Sequence, residues 1–141
     1  MTETTDALAV AVNAENAAIF TYGVVAAYAA PSRAQTIAEY TAEHRSRRDE
    51  SATALAAAKV DVPAAAPGYN LSAPVTDPVS ALRAALIAEE DCAVAYRALM
   101  EQADDVPVRR LGLDGLTESA TRAANWRLVL RISPATVALP G

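Results

Sequence analysis

Two glutamates occupy matching positions inside apolar helical stripes. Glu15 lies three residues after Val12, and Glu89 lies three residues after Leu86, so both carboxylates fall on the apolar side of a helix. Removing a carboxylate from water is costly unless a cation or a set of hydrogen-bond donors faces it. The chemistry open to this pair is therefore either metal coordination or buried ion pairing.

The groups that could face these glutamates lie on the second and fourth predicted helices. A heptad-like row turns His44 and Arg48 inward on the second helix, and its counterpart on the fourth helix turns Arg122 inward. An arginine has a permanent positive charge and no lone pair, so it pairs with a carboxylate and repels a metal ion. We therefore predict two buried ion pairs, Glu15 with Arg48 and Glu89 with Arg122.

A metal site shifted along the helices is an alternative use of the same carboxylates. One imidazole and three carboxylates form a donor set suited to iron or manganese. A redox-active ferritin-like oxidoreductase would follow from such a site. Its ligands would be Glu15, His44, Glu89 and Glu118. Against it, His44 is the only histidine in the chain, and Arg48 and Arg122 lie one turn away on the same rows.

A small-molecule pocket is a further alternative. The core of this sequence is rich in alanine and poor in aromatic residues, and small core side chains leave room for cavities. Tyr22, Tyr96 and Trp126 would form the walls of a pocket between the helices. The simpler interpretation of these three aromatic residues is ordinary core packing.

Periodicity and helix breakers predict four long helices in a single domain covering residues 1–141. Pro31 ends the first helix, because proline disfavours helix at the residue before it. Asp77 followed by Pro78 is a helix cap with its first turn. We expect the helices at about residues 6–29, 33–59, 78–103 and 108–132.

The connection over residues 61–77 decides the topology. It is rich in proline and glycine and therefore extended, with a reach of about 50 Å, whereas the second helix is about 40 Å long. A connection able to travel the whole bundle places the third helix parallel to the second. With two short hairpin connections, this predicts an all-α four-helix bundle with up-down-down-up topology.

The two hairpins are related by an internal repeat. A shift of 74 residues superimposes Leu8 on Leu82, Glu15 on Glu89, Tyr22 on Tyr96, His44 on Glu118 and Arg48 on Arg122. The register holds through both helices without a gap, which indicates duplication of a helical hairpin.

This arrangement resembles the ferritin-like superfamily, in which each hairpin supplies a glutamate from its first helix and a Glu-x-x-His from its second to hold two irons. The resemblance covers residues 6–132 and rests on Glu15, Glu89 and the tyrosine seven residues after each. At the positions of the two Glu-x-x-His motifs the chain carries Arg48, Ser51, Arg122 and Asn125. With its alanine-rich texture it looks like an uncharacterised actinobacterial ferritin-like group that lacks the di-iron ligands.

Composition narrows the classes of partner. A formal charge of -5 disfavours nucleic acid and anionic membrane surfaces, and no apolar run reaches the roughly 18 residues of a membrane span. A single cysteine, Cys92, suits a reducing compartment, and no leader pattern opens the chain, so we expect a cytoplasmic protein. The resulting hypothesis is a metal-free interaction or structural module, without a cofactor, acting as a homodimer; it favours a non-enzymatic role and leaves the enzyme alternative open.

Overall fold

Four long helices make up the computed structural model, which describes residues 2–141. A short 3-10 turn, Pro31–Arg33, precedes the second helix, and no strand occurs within the described range. The predicted all-α four-helix bundle is confirmed, and the helix ends agree with the predicted ones to within about three residues. The helices are α1 Glu3–Tyr28, α2 Ala34–Ala57, α3 Pro78–Gln102 and α4 Val106–Leu130.

Hydrogen bonds between helix ends establish the direction of each helix. The Thr4 hydroxyl at the start of α1 donates to the Gln102 carbonyl at the end of α3, at 3.1 Å, so α1 and α3 are antiparallel. The α1–α2 and α3–α4 connections are short, and the extended segment after α2 returns the chain to the opposite end of the bundle. The topology is therefore up-down-down-up. α1 packs against α2 and α3, and α4 packs against α3 and, more loosely, α2.

Local caps explain where the helices begin. Asp77 accepts a hydrogen bond from the Ser80 amide at 2.7 Å, with Pro78 in the first turn of α3. Asp105 accepts one from the Val108 amide at 2.8 Å at the start of α4. These side chains satisfy amides that have no partner within the helix. The two caps therefore set the starting points of the second hairpin.

Apolar side chains form two layers, one on each side of the middle of the bundle. One layer includes Leu8, Leu55 and Leu99, and the other includes Val25 and Leu82. α1 is long and apolar enough to cross a membrane by length and composition, and half of that apolar stretch is buried inside the bundle, as in the core helix of a packed domain. Polar groups placed between the two layers are shielded from water at both ends.

Close contact between α3 and α4 depends on glycine. A Cβ atom at Gly115 would lie 2.6 Å from atoms of the Tyr96 ring, and a Cβ at Gly112 would lie 2.7 Å from the Met100 backbone nitrogen. Both distances are shorter than a van der Waals contact. The two glycines therefore set how closely the helices approach.

Alanine substitutions at two helical glycines should have opposite effects. We expect Gly115→Ala to lower the free energy of unfolding by roughly 1–3 kcal/mol, because the new methyl group must displace the Tyr96 ring. Gly23→Ala in α1, where an added Cβ meets nothing within 4 Å, should raise it by about 0.5–1 kcal/mol. Urea unfolding of both variants tests this pair, and equal stabilities would contradict it.

Candidate functional site

A histidine bridges the two inward glutamates at the middle of the bundle. Glu15 on α1, His44 on α2 and Glu89 on α3 are each 0% exposed. His44 Nδ1 lies 2.5 Å from Glu15 Oε2, and His44 Nε2 lies 2.8 Å from Glu89 Oε2. A nitrogen lone pair facing an ionised carboxylate would repel it, so two carboxylates at these distances favour a proton on both nitrogens. His44 is therefore a buried imidazolium with a carboxylate on each side.

The protonation states of His44 and Glu89 follow from their contacts. Burial by itself lowers the pKa of His44, but the hydrogen bonds to Glu15 and Glu89 outweigh burial and raise that pKa to about 9. Burial would raise the pKa of Glu89, but the hydrogen bond and positive charge of His44, with the charge of Arg122, lower it overall. The charged forms of His44 and Glu89 are therefore favoured at neutral pH.

Arg122 of α4 adds the second cation. Its Nε donates to Glu89 Oε1 at 3.0 Å, and its Nη1 donates to Glu43 Oε2 at 2.8 Å. The arginine side chain is 3% exposed, whereas that of Glu43 is 52% exposed. The Glu89–Arg122 pair predicted from the sequence is thus present, and it continues through Glu43 to the surface between α2 and α4.

The predicted pair of Glu15 with Arg48 is wrong. Arg48 lies at the surface of α2, 31% exposed, with its Nε 3.0 Å from Asp49 Oδ1. The buried residues of α2 include Ile37, His44 and Ser51, spaced by seven, together with Leu55. Arg48 is turned away from this row, and His44 takes the interior position in its place. The cation that faces Glu15 is therefore an imidazolium and not a guanidinium.

Two tyrosine hydroxyls also donate hydrogen bonds to the carboxylates. The Tyr96 hydroxyl donates to Glu15 Oε1 at 2.7 Å, and the Tyr22 hydroxyl donates to Glu89 Oε2. Each tyrosine therefore serves the glutamate of the other hairpin. Burial and the adjacent carboxylates raise the pKa of both hydroxyls, so both remain neutral donors.

The predicted pocket between Tyr22, Tyr96 and Trp126 is not formed. All three side chains are at most 1% exposed, and Trp126 Nε1 donates to the Tyr22 hydroxyl at 2.8 Å. Tyr22 borders a surface depression between α1 and α2, which is not a pocket enclosed by the three aromatic residues. These aromatic residues pack the core and orient the hydroxyl that binds Glu89.

Comparison with known proteins places the chain in a family. Residues 7–141 match the sequence profile described as Domain of unknown function (DUF4439). The chain belongs to this family. It is similar to the crystal structure of a conserved hypothetical protein, rv2844, from Mycobacterium tuberculosis, with 38% sequence identity and a TM-score of 0.89. The match covers 91% of this chain and 97% of that one. A comparison with curated proteins gives no match.

The centre of this DUF4439 chain does not fit a pair of iron or manganese ions. Glu118, one of the four alternative ligands, is 40% exposed and binds Arg47 at the surface, so it is absent from the centre. Both nitrogens of His44 are occupied by carboxylates, and a metal ligand must offer a lone pair. Arg122 brings a fixed positive charge directly onto Glu89.

A mixed donor set with the cysteine does not change this conclusion. Glu15, His44 and Cys92 each place one donor atom within 4.8 Å of the others. Burial raises the pKa of the Cys92 thiol, so the thiolate that binds metals is disfavoured. The thiol points at the Ala14 carbonyl, with Sγ 3.7 Å from that oxygen. In this arrangement, the protons of His44 and the guanidinium of Arg122 face the carboxylates of the DUF4439 centre in the way that metal ions would in a metal centre.

Glu43 is the member of this site that sequence analysis missed. It accepts a hydrogen bond from the otherwise buried Arg122, yet it stands on the polar face of α2. Nothing in the sequence distinguishes it from Glu39 or Glu50 on the same helix. Only the approach of α4 selects it.

Proposed function

We propose that this chain is a metal-free relative of the ferritin-like bundles, in which a buried ionic network replaces the two-metal centre and the domain acts as a structural or interaction module. The observation that carries the proposal is His44 held between Glu15 and Glu89. The duplicated hairpin, the long crossover and the inward glutamates support the ferritin-like relationship. The proposal does not depend on a cofactor.

Charge balance explains how such a network can replace metal ions. Two buried carboxylates, Glu15 and Glu89, face one imidazolium and one guanidinium, His44 and Arg122, so these four buried formal charges sum to zero, and Glu43 adds a negative charge only at the half-exposed outer end. Buried charges are tolerated when they are paired and hydrogen-bonded. A metal ion entering this centre would have to expel a proton from His44 and displace Arg122. The network therefore acts against metal binding and holds the four helices in register.

The module role in this proposal includes a second copy of the chain as partner. Large apolar side chains remain exposed on α4 and the tail, among them Val106, Leu128 and Leu139. Multi-angle light scattering measures the mass of the particle directly. A mass of two chains supports the homodimer, and a mass of one chain at every concentration up to the millimolar range contradicts it.

Iron and manganese should not bind stoichiometrically. We expect the protein, purified without chelators, to contain less than about 0.1 metal ion per chain, because the ligand atoms are already occupied by protons and by Arg122. Elemental analysis of the purified protein and anaerobic calorimetric titration with Fe²⁺ and with Mn²⁺ measure this. The titration should show no saturable heat.

The matched control is Glu15→Gln, which removes one carboxylate from the centre and keeps the shape of the side chain. Binding of one or two metal ions per chain that is lost in this variant would contradict the proposal and support the oxidoreductase alternative. Metal that remains bound to Glu15→Gln would lie outside the centre and leave the assignment of the network intact.

A further inference from the structure

A second candidate site lies outside the buried network, in a cleft of about 440 Å³ between α1, α3 and the extended crossover. Alanines of the two helices line it, including Ala14, Ala18, Ala84 and Ala88. Thr21 directs its hydroxyl to the Ala17 carbonyl at 2.9 Å, so this hydroxyl is engaged within its own helix. The helical side of the cleft is therefore mainly apolar, and its volume is in the usual range for a small-molecule site, about 300–1,000 Å³.

The crossover forms the outer wall of this cleft. Tyr69 packs on Phe20 of α1 with ring centroids 5.6 Å apart, and the Tyr69 hydroxyl accepts a hydrogen bond from the Ala66 amide at 3.0 Å. These contacts anchor the segment that follows, residues 70–74, along the cleft. The outer wall is thus fixed to α1 by an aromatic contact.

One edge of the cleft carries opposite charges at its two ends. Arg83, Ile87 and Asp91 follow one another at intervals of four residues on α3, and all three line the cleft. Eight residues of helix separate the backbone positions of Arg83 and Asp91 by about 12 Å along the axis. Within residues 2–141 neither Arg83 nor Asp91 has a side-chain hydrogen bond or an ion-pair partner, whereas Arg97 on the same helix binds Glu101.

We propose that this cleft binds a small zwitterion with an apolar middle. Its carboxylate pairs with Arg83, its ammonium group pairs with Asp91, and its chain lies along Ile87 and the alanines. Two unpartnered charges of opposite sign, separated by an apolar wall, match such a ligand in charge order and in length. Asp91 is exposed, but desolvation by its neighbours raises the pKa of its carboxyl group, and an ammonium partner would relieve that cost.

The probe is 8-aminooctanoate, an ω-amino acid whose extended chain is comparable in length to the backbone separation of Arg83 and Asp91. Isothermal titration calorimetry should show one saturable site per chain. Octanoate and octylamine each lack one charged end and should bind about three- to tenfold more weakly, and 4-aminobutanoate, too short to reach both charges, should not bind measurably.

Variants of the cleft separate this site from non-specific binding. Arg83→Gln and Asp91→Asn should each weaken binding of 8-aminooctanoate about three- to tenfold, and Ala17→Leu should abolish it by filling the cleft. Glu90→Gln is the matched control, because Glu90 lies next to Asp91 but lines the groove between α3 and α4. It should bind as the parent does.

Three results would overturn the proposal. These are no saturable heat with 8-aminooctanoate, octanoate binding as tightly as 8-aminooctanoate, and variants of Arg83 and Asp91 that bind as the parent does. Circular dichroism of each variant confirms that the helices are intact. None of these results bears on the ionic network, because the cleft variants leave the residues of that network unchanged.

Discussion

Replacing Arg122 with alanine is expected to lower the free energy of unfolding by roughly 3–5 kcal/mol, because it leaves the Glu89 carboxylate buried with one cation fewer. Arg48→Ala should change the same quantity by less than about 0.5 kcal/mol, because a partly exposed arginine paired with a neighbouring Asp49 at the surface contributes little. Both substitutions remove the same atoms from a helix. Urea unfolding monitored by circular dichroism gives the two values side by side.

A double-mutant cycle assigns the Arg122 effect to its partner. In a Glu89→Gln background the buried carboxylate is already neutral, so adding Arg122→Ala should cost clearly less than it does in the parent chain. The Glu43→Gln background tests the outer contact of the same guanidinium, and a smaller coupling is expected there because Glu43 is half exposed. Equal losses of stability for Arg122→Ala and Arg48→Ala would contradict a stabilising network.

The fold could be predicted from the sequence because its signals are local. Proline and aspartate mark the helix ends at Pro31 and at Asp77–Pro78, and the length of the crossover is enough to decide its direction. The main discrepancy is at the start of α1, which begins at Glu3. There Thr2 and Thr5 form a reciprocal capping box that extends the helix by one turn beyond the predicted start.

The site could be predicted only in part, because it depends on how far each helix rotates. The repeat places Arg48 on Arg122, and this equivalence suggested that both arginines face inward. On α4 the buried residues include Ser119, Arg122 and Trp126, which centres the inward face on Arg122. On α2 the buried row runs through His44, one turn before Arg48. The rotation of α2 that turns His44 inward and Arg48 outward cannot be recognised from the spacing of apolar residues, because most of the neighbouring residues are alanine.

The exchange of tyrosines between hairpins was also outside the reach of the sequence. Tyr22 and Tyr96 each follow a glutamate by seven residues on the same helix face, which suggests that each belongs with its own glutamate. In the bundle, α1 and α3 run antiparallel, so each hydroxyl meets the carboxylate on the facing helix. The long-range packing of the helices, and not the local pattern, selects the partner.

Stability should fall as the pH rises from about 6.5 to 9. The pKa of His44 is about 9 in the folded chain, whereas a histidine without these contacts has a pKa of 6.5. The folded state therefore binds the proton more tightly. The resulting stabilisation is fully present below pH 6.5 and is lost as the pH rises through 9, a total of roughly 3 kcal/mol. Glu89 acts in the opposite direction, because its lowered pKa gives stability that is lost in acid.

Because the chain has a single histidine, the titration of His44 can be measured without overlap from other imidazoles. Nuclear magnetic resonance of the imidazole should give one titration with a midpoint near pH 9, and the free energy of unfolding from urea curves should decline over the same interval. His44→Gln is the control: it should be less stable at pH 6 and lose the decline between pH 6.5 and 9, and its loss in acid should shrink, because His44 contributes most to lowering the pKa of Glu89. A midpoint at or below pH 6.5 would mean that the two carboxylates do not hold a proton on His44, and it would remove the cation on which the charge balance of the centre depends.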